Sequence, residues 1–569
     1  MFSIIIVKST IHTGEEETLK SMYQKIASLA LVGSLTASSF ALAARSEERK
    51  GEKQERVKNV IMMVMDGTSS GATTLARWYK GAPLALDEMA SGAVRTYSAE
   101  SAITDSAPAA TAMATGFKSN DKYIGILPST VNSPGVTPVP KEKAKKPVVN
   151  VLEGAELQGK STGIIATSAI QHATPAGFSA HVEHRNWFPD IAEQQVYQDI
   201  EIVLGGGKEA LIPGKGKNNR KDNENLLETI EEKGYDIVET RDELLRSKSD
   251  KIWGIFANDA MAQDMNRPYT KPNEPTLAEM TRKAIETLSK DKDGFFLFVE
   301  GSQVDWAAHA NDPIGMISEV LAFDEAVKEA LSFAKKRSDT LVIAVSDHGN
   351  SGITIGNRNT DQTYPETPVS AYIEPLKKAK MTLEGALSQL KPDKSNLEEV
   401  AQLYGLNPLT TEEKQKLSES ADLRKTLVEL LAARANLGFT TGGHTGEDVL
   451  LYTYGPNRPI GTFENTDLAH IMAKTMGFDL RMLNKRLFVD AQKEFEAIGA
   501  TVSIDRTDAA NPVLVVKKGK TIAQLPVNKN IMRLDNQTYE LEGLTVYSGE
   551  RFWVAKQAVH LFEKSRSSK

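Results

Sequence analysis

The sequence predicts an α/β fold with a largely parallel central sheet flanked by helices. Three observations carry that expectation. Short apolar runs recur along the body of the chain, helical patterns alternate with them, and the runs are apolar at successive positions. A strand covered by helices on both faces has no solvent side, so it loses the apolar–polar alternation of a half-buried strand.

The runs are 59–65 (NVIMMVM), 162–167 (TGIIAT), 200–204 (IEIVL), 295–300 (FFLFVE), 340–346 (TLVIAVS) and 449–454 (VLLYTY). Helical patterns over 277–290 and 314–336 supply the flanking layers. Residues 382–437 repeat helical patterns, as at 397–404 and 411–435, without a strand signal, and predict a helical insertion. From about Thr501 the character changes to β-type runs at 513–517, 521–525, 530–534 and 551–555, punctuated by Gly519, Asn528, Asn536 and Gly543. This predicts a small β-rich C-terminal module. The expected division is an export signal region at 1–43, a charged linker at 44–58, a catalytic body at 59–497 and the module at 498–569.

The N-terminus reads as an export signal that begins at Met22. Glu15, Glu16 and Glu17 suit neither a signal nor a span, whereas Lys25, the apolar stretch 26–38 and Ala41-Leu42-Ala43 follow the order of a cleavable signal. Cleavage after Ala43 is expected, with the protein periplasmic, cell-surface or extracellular. No segment is long and apolar enough to predict a transmembrane helix. The 569 residues carry a formal net charge of -7, which argues against a nucleic-acid backbone as the main partner. There is no cysteine, which excludes disulfides, thiolate nucleophiles and Cys-ligated metal.

Chemistry-bearing residues gather at the ends of the predicted strands. Asp66-Gly67 closes the first run, where α/β sheets bind ligands and where Asp-Gly is also a common turn. In 104–116 (TDSAPAATAMATG), Pro108 near a helix start puts Ser106 at or just before its N-terminus. Unpaired N–H groups there favour negative charge, as in a serine alkoxide or a phosphate ester; a plain N-cap serine is the commoner alternative. The stretch 168–185 supplies His172, Thr174 and Arg185. In 300–312 (EGSQVDWAAHAND), Glu300 ends a strand, and Asp305 and His309, four apart, meet on one helix face. SDHGNSG (346–352) puts Asp347 and His348 where a strand turns, and GGHTGED (442–448) sets His444 among glycines. Six of the nine histidines fall in these motifs: His172, His181, His184, His309, His348 and His444. Together they predict a multinuclear metal site.

The ordered set MDG, TDSAPAATA, QHATPAG…AHVEHR, VEGSQVDWAAH, SDHG and GGHTGED, from Asp66 to Asp448, resembles the alkaline phosphatase family. The resemblance implies hydrolysis of small phosphate monoesters through a phosphoserine on Ser106. It implies one zinc on Asp305, His309 and His444 and a second on Asp347, His348 and Asp66. A third ion, magnesium or else cobalt or zinc, would use Asp66, Thr174 and Glu300. Arg185 would grip the phosphoryl oxygens and Asp105 would orient it. Many members have Asp at the position of His172 and Lys at that of Trp306, while others carry His and Trp as here; both residues are therefore expected beside the third ion. The C-terminal module resembles small domains of copper amine oxidases and bacterial surface proteins, implies no copper, and suggests contact with a cell surface. The oligomeric state stays open, with a homodimer among the candidates. Phosphodiesterase, sulfatase and non-catalytic binding roles are the alternatives; the surroundings of Ser106 and Arg185 favour monoesters.

Overall fold

The protein is described here from a computed structural model, which covers residues 57–567. The export signal region and most of the linker lie outside the described residues. Val57 is already buried and the Lys58 N–H bonds the Asp339 carbonyl, so the folded body is under way two residues before Asn59.

The centre is a ten-stranded sheet in the order Gly461–Glu464, Ala90–Arg95, Val449–Tyr454, Thr340–Val345, Asn59–Met65, Phe295–Gly301, Ser161–Ala169, Ile202–Gly206, Ile252–Ile255, Asp236–Val238. Only Val449–Tyr454 runs against its neighbours; every other pairing is parallel. The continuous apolar runs have the expected cause. Along Asn59–Met65, Ile61, Met63 and Met65 feed one core, while Val60, Met62 and Val64 feed the other. The first core is closed by the helices Ser70–Lys80, Leu277–Leu288 and Pro313–Ala334, the second by Ser106–Thr115, Val151–Glu156 and Asn465–Met476.

The predicted runs all appear, with one displaced: 200–204 becomes Ile202–Gly206. The run 411–435 is broken into helices Thr411–Ser418 and Leu423–Arg434, because Asp422 turns out of helical geometry and accepts the Lys425 N–H as a cap. The insertion packs on the first core through Leu383, Tyr404, Leu427 and Leu431. It ends in a short strand, Leu437–Gly438, paired with Thr354–Ile355.

Beyond the body, a five-stranded antiparallel sheet (Thr501–Asp505, Val513–Lys518, Thr521–Pro526, Ile531–Leu534, Gln537–Glu540) follows chain order. A three-stranded sheet of Val489–Asp490, Arg551–Val554 and Val546–Ser548 lies with it, and the helix Lys556–Ser567 ends the described chain. Leu514, Leu525, Met532 and Phe562 form its core, which also takes Ala491 and Phe495 from the helix Ala491–Ala497. Leu544, Val546 and Trp553 instead join the second core of the body.

Candidate active site

Three neighbouring strands deliver carboxylates to one edge of the sheet. Val64 is level with Glu300 on one side and with Val345 on the other, so Asp66 comes level with Asp347 two residues further on. Asp66, Glu300 and Asp347 are fully or almost fully buried. The chain can turn sharply after Asp66 because Gly67 sits at φ +60°, and a Cβ there would lie 2.2 Å from the Asp305 carboxylate. The Gly67 N–H donates to Asp347 Oδ1 at 3.0 Å, tying two of the strand ends together.

Ser106 is the first residue of the helix Ser106–Thr115 and is 2% exposed. It is not the cap: Asp105 holds that place, with extended backbone and no capping bond of its own. The Asp105 carboxylate instead binds the Arg185 guanidinium. Burial opposes ionisation of Asp105, but the adjacent Arg185 outweighs it and holds the carboxyl below its usual range. The helix is wholly buried and built of small residues; Gly177 approaches Ala110 so closely that a Cβ there would fall 2.6 Å from the Ala110 Cβ. This close contact seats the short helix Ala173–Gly177, and with it Thr174, against the nucleophile helix.

Asp305 and His309 do share one face of the helix Gln303–His309, with His309 Nε2 3.4 Å from Asp305 Oδ2. His444 Nε2 is 3.6 Å from the other oxygen of Asp305 and 3.1 Å from His309 Nε2. The three histidines are oriented alike. Nδ1 of His309 donates to the Gly442 carbonyl at 2.9 Å, Nδ1 of His444 to the Thr104 carbonyl at 2.9 Å, and Nδ1 of His348 to the Gly349 carbonyl at 3.2 Å. Each Nδ1 therefore carries the ring proton, and each Nε2 lone pair faces inward. Two bare Nε2 atoms 3.1 Å apart need a cation between them. A proton can serve, since His309 is lifted to about 9, first by its hydrogen bond to Asp305. A metal ion suits the donor set better. His348 Nε2 accepts the Ser106 hydroxyl at 3.2 Å and lies 3.3 Å from Asp347 and 3.6 Å from Asp66.

The buried carboxylates are short of partners. Asp66 Oδ1, Glu300 Oε1 and Asp347 Oδ2 have no hydrogen-bond donor. Burial pushes Asp66 well above the usual carboxylate range, with Asp347, Asp305 and Glu300 adding repulsion, and burial lifts Glu300 to about 7. Asp305 is the exception: burial opposes its charge, but the hydrogen bond from His309 and the neighbouring imidazoles hold its carboxyl well below the ordinary value. Three sets of side chains bring donor atoms within 4.8 Å of one another: Asp305, His309 and His444; Asp66, Asp305 and His348; and Asp66, His172 and Glu300. Oxygen and imidazole donors in such sets fit divalent cations, and orphaned buried carboxylate oxygens need them.

Each residue to which the resemblance assigns a role lies in or beside this cluster. Thr174 Oγ1 donates to Asp66 Oδ2 at 3.3 Å. His172 accepts from the Arg185 guanidinium at 3.2 Å through Nε2, and the Trp306 ring meets it edge-on at 5.8 Å. Arginine can only donate, so the proton of the neutral His172 ring sits on Nδ1, which is buried without a partner. Burial, then the nearby Arg185, holds that ring neutral, with a pKa of about 3. Of the other motif histidines, His181 is structural, held between the Gly125 carbonyl at 2.8 Å and Glu153 at 3.0 Å. Asn350 went unnoticed in the sequence although it sits in SDHGNSG: its amide donates to Asp305 Oδ1 at 2.7 Å. The carbonyls of Thr104, Gly349 and Gly442, which fix the imidazole orientations, carry no side-chain signal.

Comparison with known proteins decides the family. The family model for alkaline phosphatase matches residues 57–478. This chain belongs to the alkaline phosphatase family. Alkaline phosphatase 3 of Bacillus subtilis (strain 168) is 36% identical over 493 residues, covering 82% of this chain and 100% of the relative. The crystal structure of Thermus thermophilus alkaline phosphatase matches with a TM-score of 0.65 and 28% identity, over 74% of this chain and 92% of that one. A His-to-Asp mutant of alkaline phosphatase from the Antarctic bacterium TAB5, with Mg bound in its M3 site, matches with a TM-score of 0.54 and 26% identity. It covers 75% of this chain and 100% of that one. The chain is therefore a phosphoric monoester hydrolase of a metal-binding family, and its fold is the family's.

Proposed function

We propose that the chain hydrolyses small phosphate monoesters in two steps, through a phosphoserine on Ser106. The observation that carries this reading is the convergence of three Nε2 lone pairs and three orphaned carboxylate oxygens beside a serine at a helix N-terminus. Phosphate esters are anions, and a pocket holding Asp66, Glu300, Asp305 and Asp347 with Arg185 alone would repel them. Cations must reverse that field. Asp305, His309 and His444 would hold one zinc, and Asp347, His348 and Asp66 a second. Asp66, Thr174 and Glu300 would hold a third ion, magnesium or else cobalt or zinc, with His172 and Trp306 beside it. Divalent ions there would lower the pKa of a bound hydroxyl and take charge from the entering and leaving oxygens.

Ser106 gives up its hydroxyl proton as its oxygen bonds to phosphorus and the ester P–O bond breaks, and the departing oxygen takes up a proton to leave as the alcohol. The helix N–H groups behind it favour the negative charge that collects there. Arg185, anchored by Asp105, presents donors to two phosphoryl oxygens at once. Water then cleaves the Ser106–phosphorus bond, the serine regains its proton, and inorganic phosphate leaves.

The remaining expectations stay part of this proposal: export after cleavage at Ala43, surface contact through the C-terminal module, and a homodimer as one candidate assembly. No helix among the described residues is long and apolar enough to cross a membrane. The Phe495–Phe562 contact, with centroids 5.6 Å apart, supports placing the module's start before the helix Ala491–Ala497. The chemistry is tested with Ser106→Ala. Its metal content should match the wild type while turnover of a chromogenic monoester falls by on the order of 10³-fold or more. An unimpaired variant would refute Ser106 as the nucleophile.

A further inference from the structure

A cavity of about 520 Å³ lies between the metal-ligand helix and the helical insertion. His309 and Asn311 form one wall. Val428 and Ala433 of the helix Leu423–Arg434 form the other, with Leu437 and Phe439 following it. We propose that this cavity is the subsite for the organic group of the substrate, and that it selects an aromatic or otherwise flat apolar group. The inference rests on the phosphomonoesterase reading above and adds its substrate class.

Position is the first argument. The Ser106 hydroxyl bonds His348, the His348 ring stacks on His444 at 3.7 Å, and His444 meets His309 at 3.1 Å. His309 is also a wall of the cavity, so a row of imidazoles leads from the nucleophile to this space. In-line displacement puts the departing oxygen on the side of phosphorus away from the attacking serine. The ester's organic group must then leave the cluster on the side remote from Ser106.

Chemistry is the second argument. The wall facing His309 carries an apolar strip of Val428, Ala432, Ala433, Leu437 and Phe439 beside Asp422, Arg424, Lys425 and Glu429, and its two cations already have partners. Arg424 is bound to Glu384 at 2.7 Å, and Lys425 lies 3.8 Å from Glu429. Neither is a free cation for a second phosphate, which disfavours polyphosphates and bisphosphates. Size is the third argument. Pockets of roughly 300–1,000 Å³ enclose whole small molecules. A glycerol-sized group would leave most of this one to water, whereas a bicyclic ring would displace that water and gain contact with Phe439.

The test compares 2-naphthyl phosphate with phenyl phosphate, esters of similar leaving group, on wild type, Ala433→Trp and Phe439→Ala, all metal-loaded. Ala433 is exposed, so tryptophan fills the cavity without entering the core. The wild type should show a KM about tenfold lower for the naphthyl ester. Each variant should raise that KM about fivefold. The phenyl KM should rise by less, about twofold, while kcat and inhibition by inorganic phosphate stay as in the wild type, since neither residue lies in the catalytic cluster. An unchanged naphthyl-to-phenyl ratio in both variants would overturn the subsite, as would an equal fall in kcat for both esters. If the wild type hydrolyses neither ester, the phosphomonoesterase reading itself fails.

Discussion

Two buried charge clusters in this chain are balanced on opposite principles. Where the C-terminal module docks, Glu193, Asp222 and Glu224 surround Arg220 and Lys529. Lys529 lies 3.1 Å from Glu193 and 3.0 Å from Glu224, and Asn528 donates to Asp190 at 3.0 Å. At the strand ends, Asp66, Glu300, Asp305 and Asp347 have no Lys or Arg within ion-pair distance among the described residues, and imidazoles face them instead. The docking cluster brings its own cations and has no need of others. The strand-end cluster is an acceptor array without them. A buried surplus of carboxylate that the chain leaves uncompensated marks a place for an inorganic cation, since burying unpaired charge is otherwise too costly.

The contrast breaks most visibly under chelation. Prolonged treatment with a strong chelator should reduce monoester turnover by on the order of 10³-fold or more. Zinc and magnesium should restore it. Far-ultraviolet circular dichroism should show the secondary structure retained, because the docking cluster pairs its carboxylates with Arg220 and Lys529. Full activity in protein shown by elemental analysis to be metal-free would refute the cationic reading of the strand ends.

Next in size is Lys529→Met. It leaves the buried Glu193 and the partly exposed Glu224 with Arg220 alone, and should cost about 2–3 kcal/mol of stability in urea unfolding. Kcat on a small monoester should not change, since Lys529 lies outside the strand-end cluster. A wild-type midpoint would show that the docking ion pairs carry no stability.

A third solution sharpens the comparison. Glu319 is 4% exposed, accepts from the Asp264 N–H and the Ser318 hydroxyl, and is pushed up to about 8 by burial. It keeps its proton instead of finding a cation. Between the ordinary value near 4.5 and about 8, the folded state holds a proton that the unfolded state has lost. Its contribution is therefore complete at low pH and is lost as pH rises, by up to about 1.4 kcal/mol per pH unit within that window. Glu319→Gln should flatten this part of the stability profile while leaving the others intact. A variant profile parallel to the wild type would contradict it.

Much of this was legible in the sequence, for physical reasons. Strands buried on both faces must be continuously apolar, so six of the ten central strands could be read directly. Ala90–Arg95 and Gly461–Glu464 could not, being partly exposed and rich in small or polar residues, and Ile252–Ile255 could not because it is buried but only four residues long. The site residues could be read because side-chain type and strand-end position coincide. What positions them was hidden where backbone does the work: the carbonyls of Thr104 and Gly442 orient two imidazoles, and no side chain announces them. The Asp422 cap that splits 411–435 was a local signal overridden by a longer helical pattern. The docking cluster could not be read at all, because Glu193, Arg220 and Lys529 are brought together only by the tertiary fold.

The most direct test of the account is a rapid acid quench of the metal-loaded enzyme during turnover of a labelled phosphate monoester, followed by peptide mapping. The account predicts covalent phosphate on Ser106, absent from Ser106→Ala. Label on another residue, or none at all while phosphate is released at full rate, would contradict it.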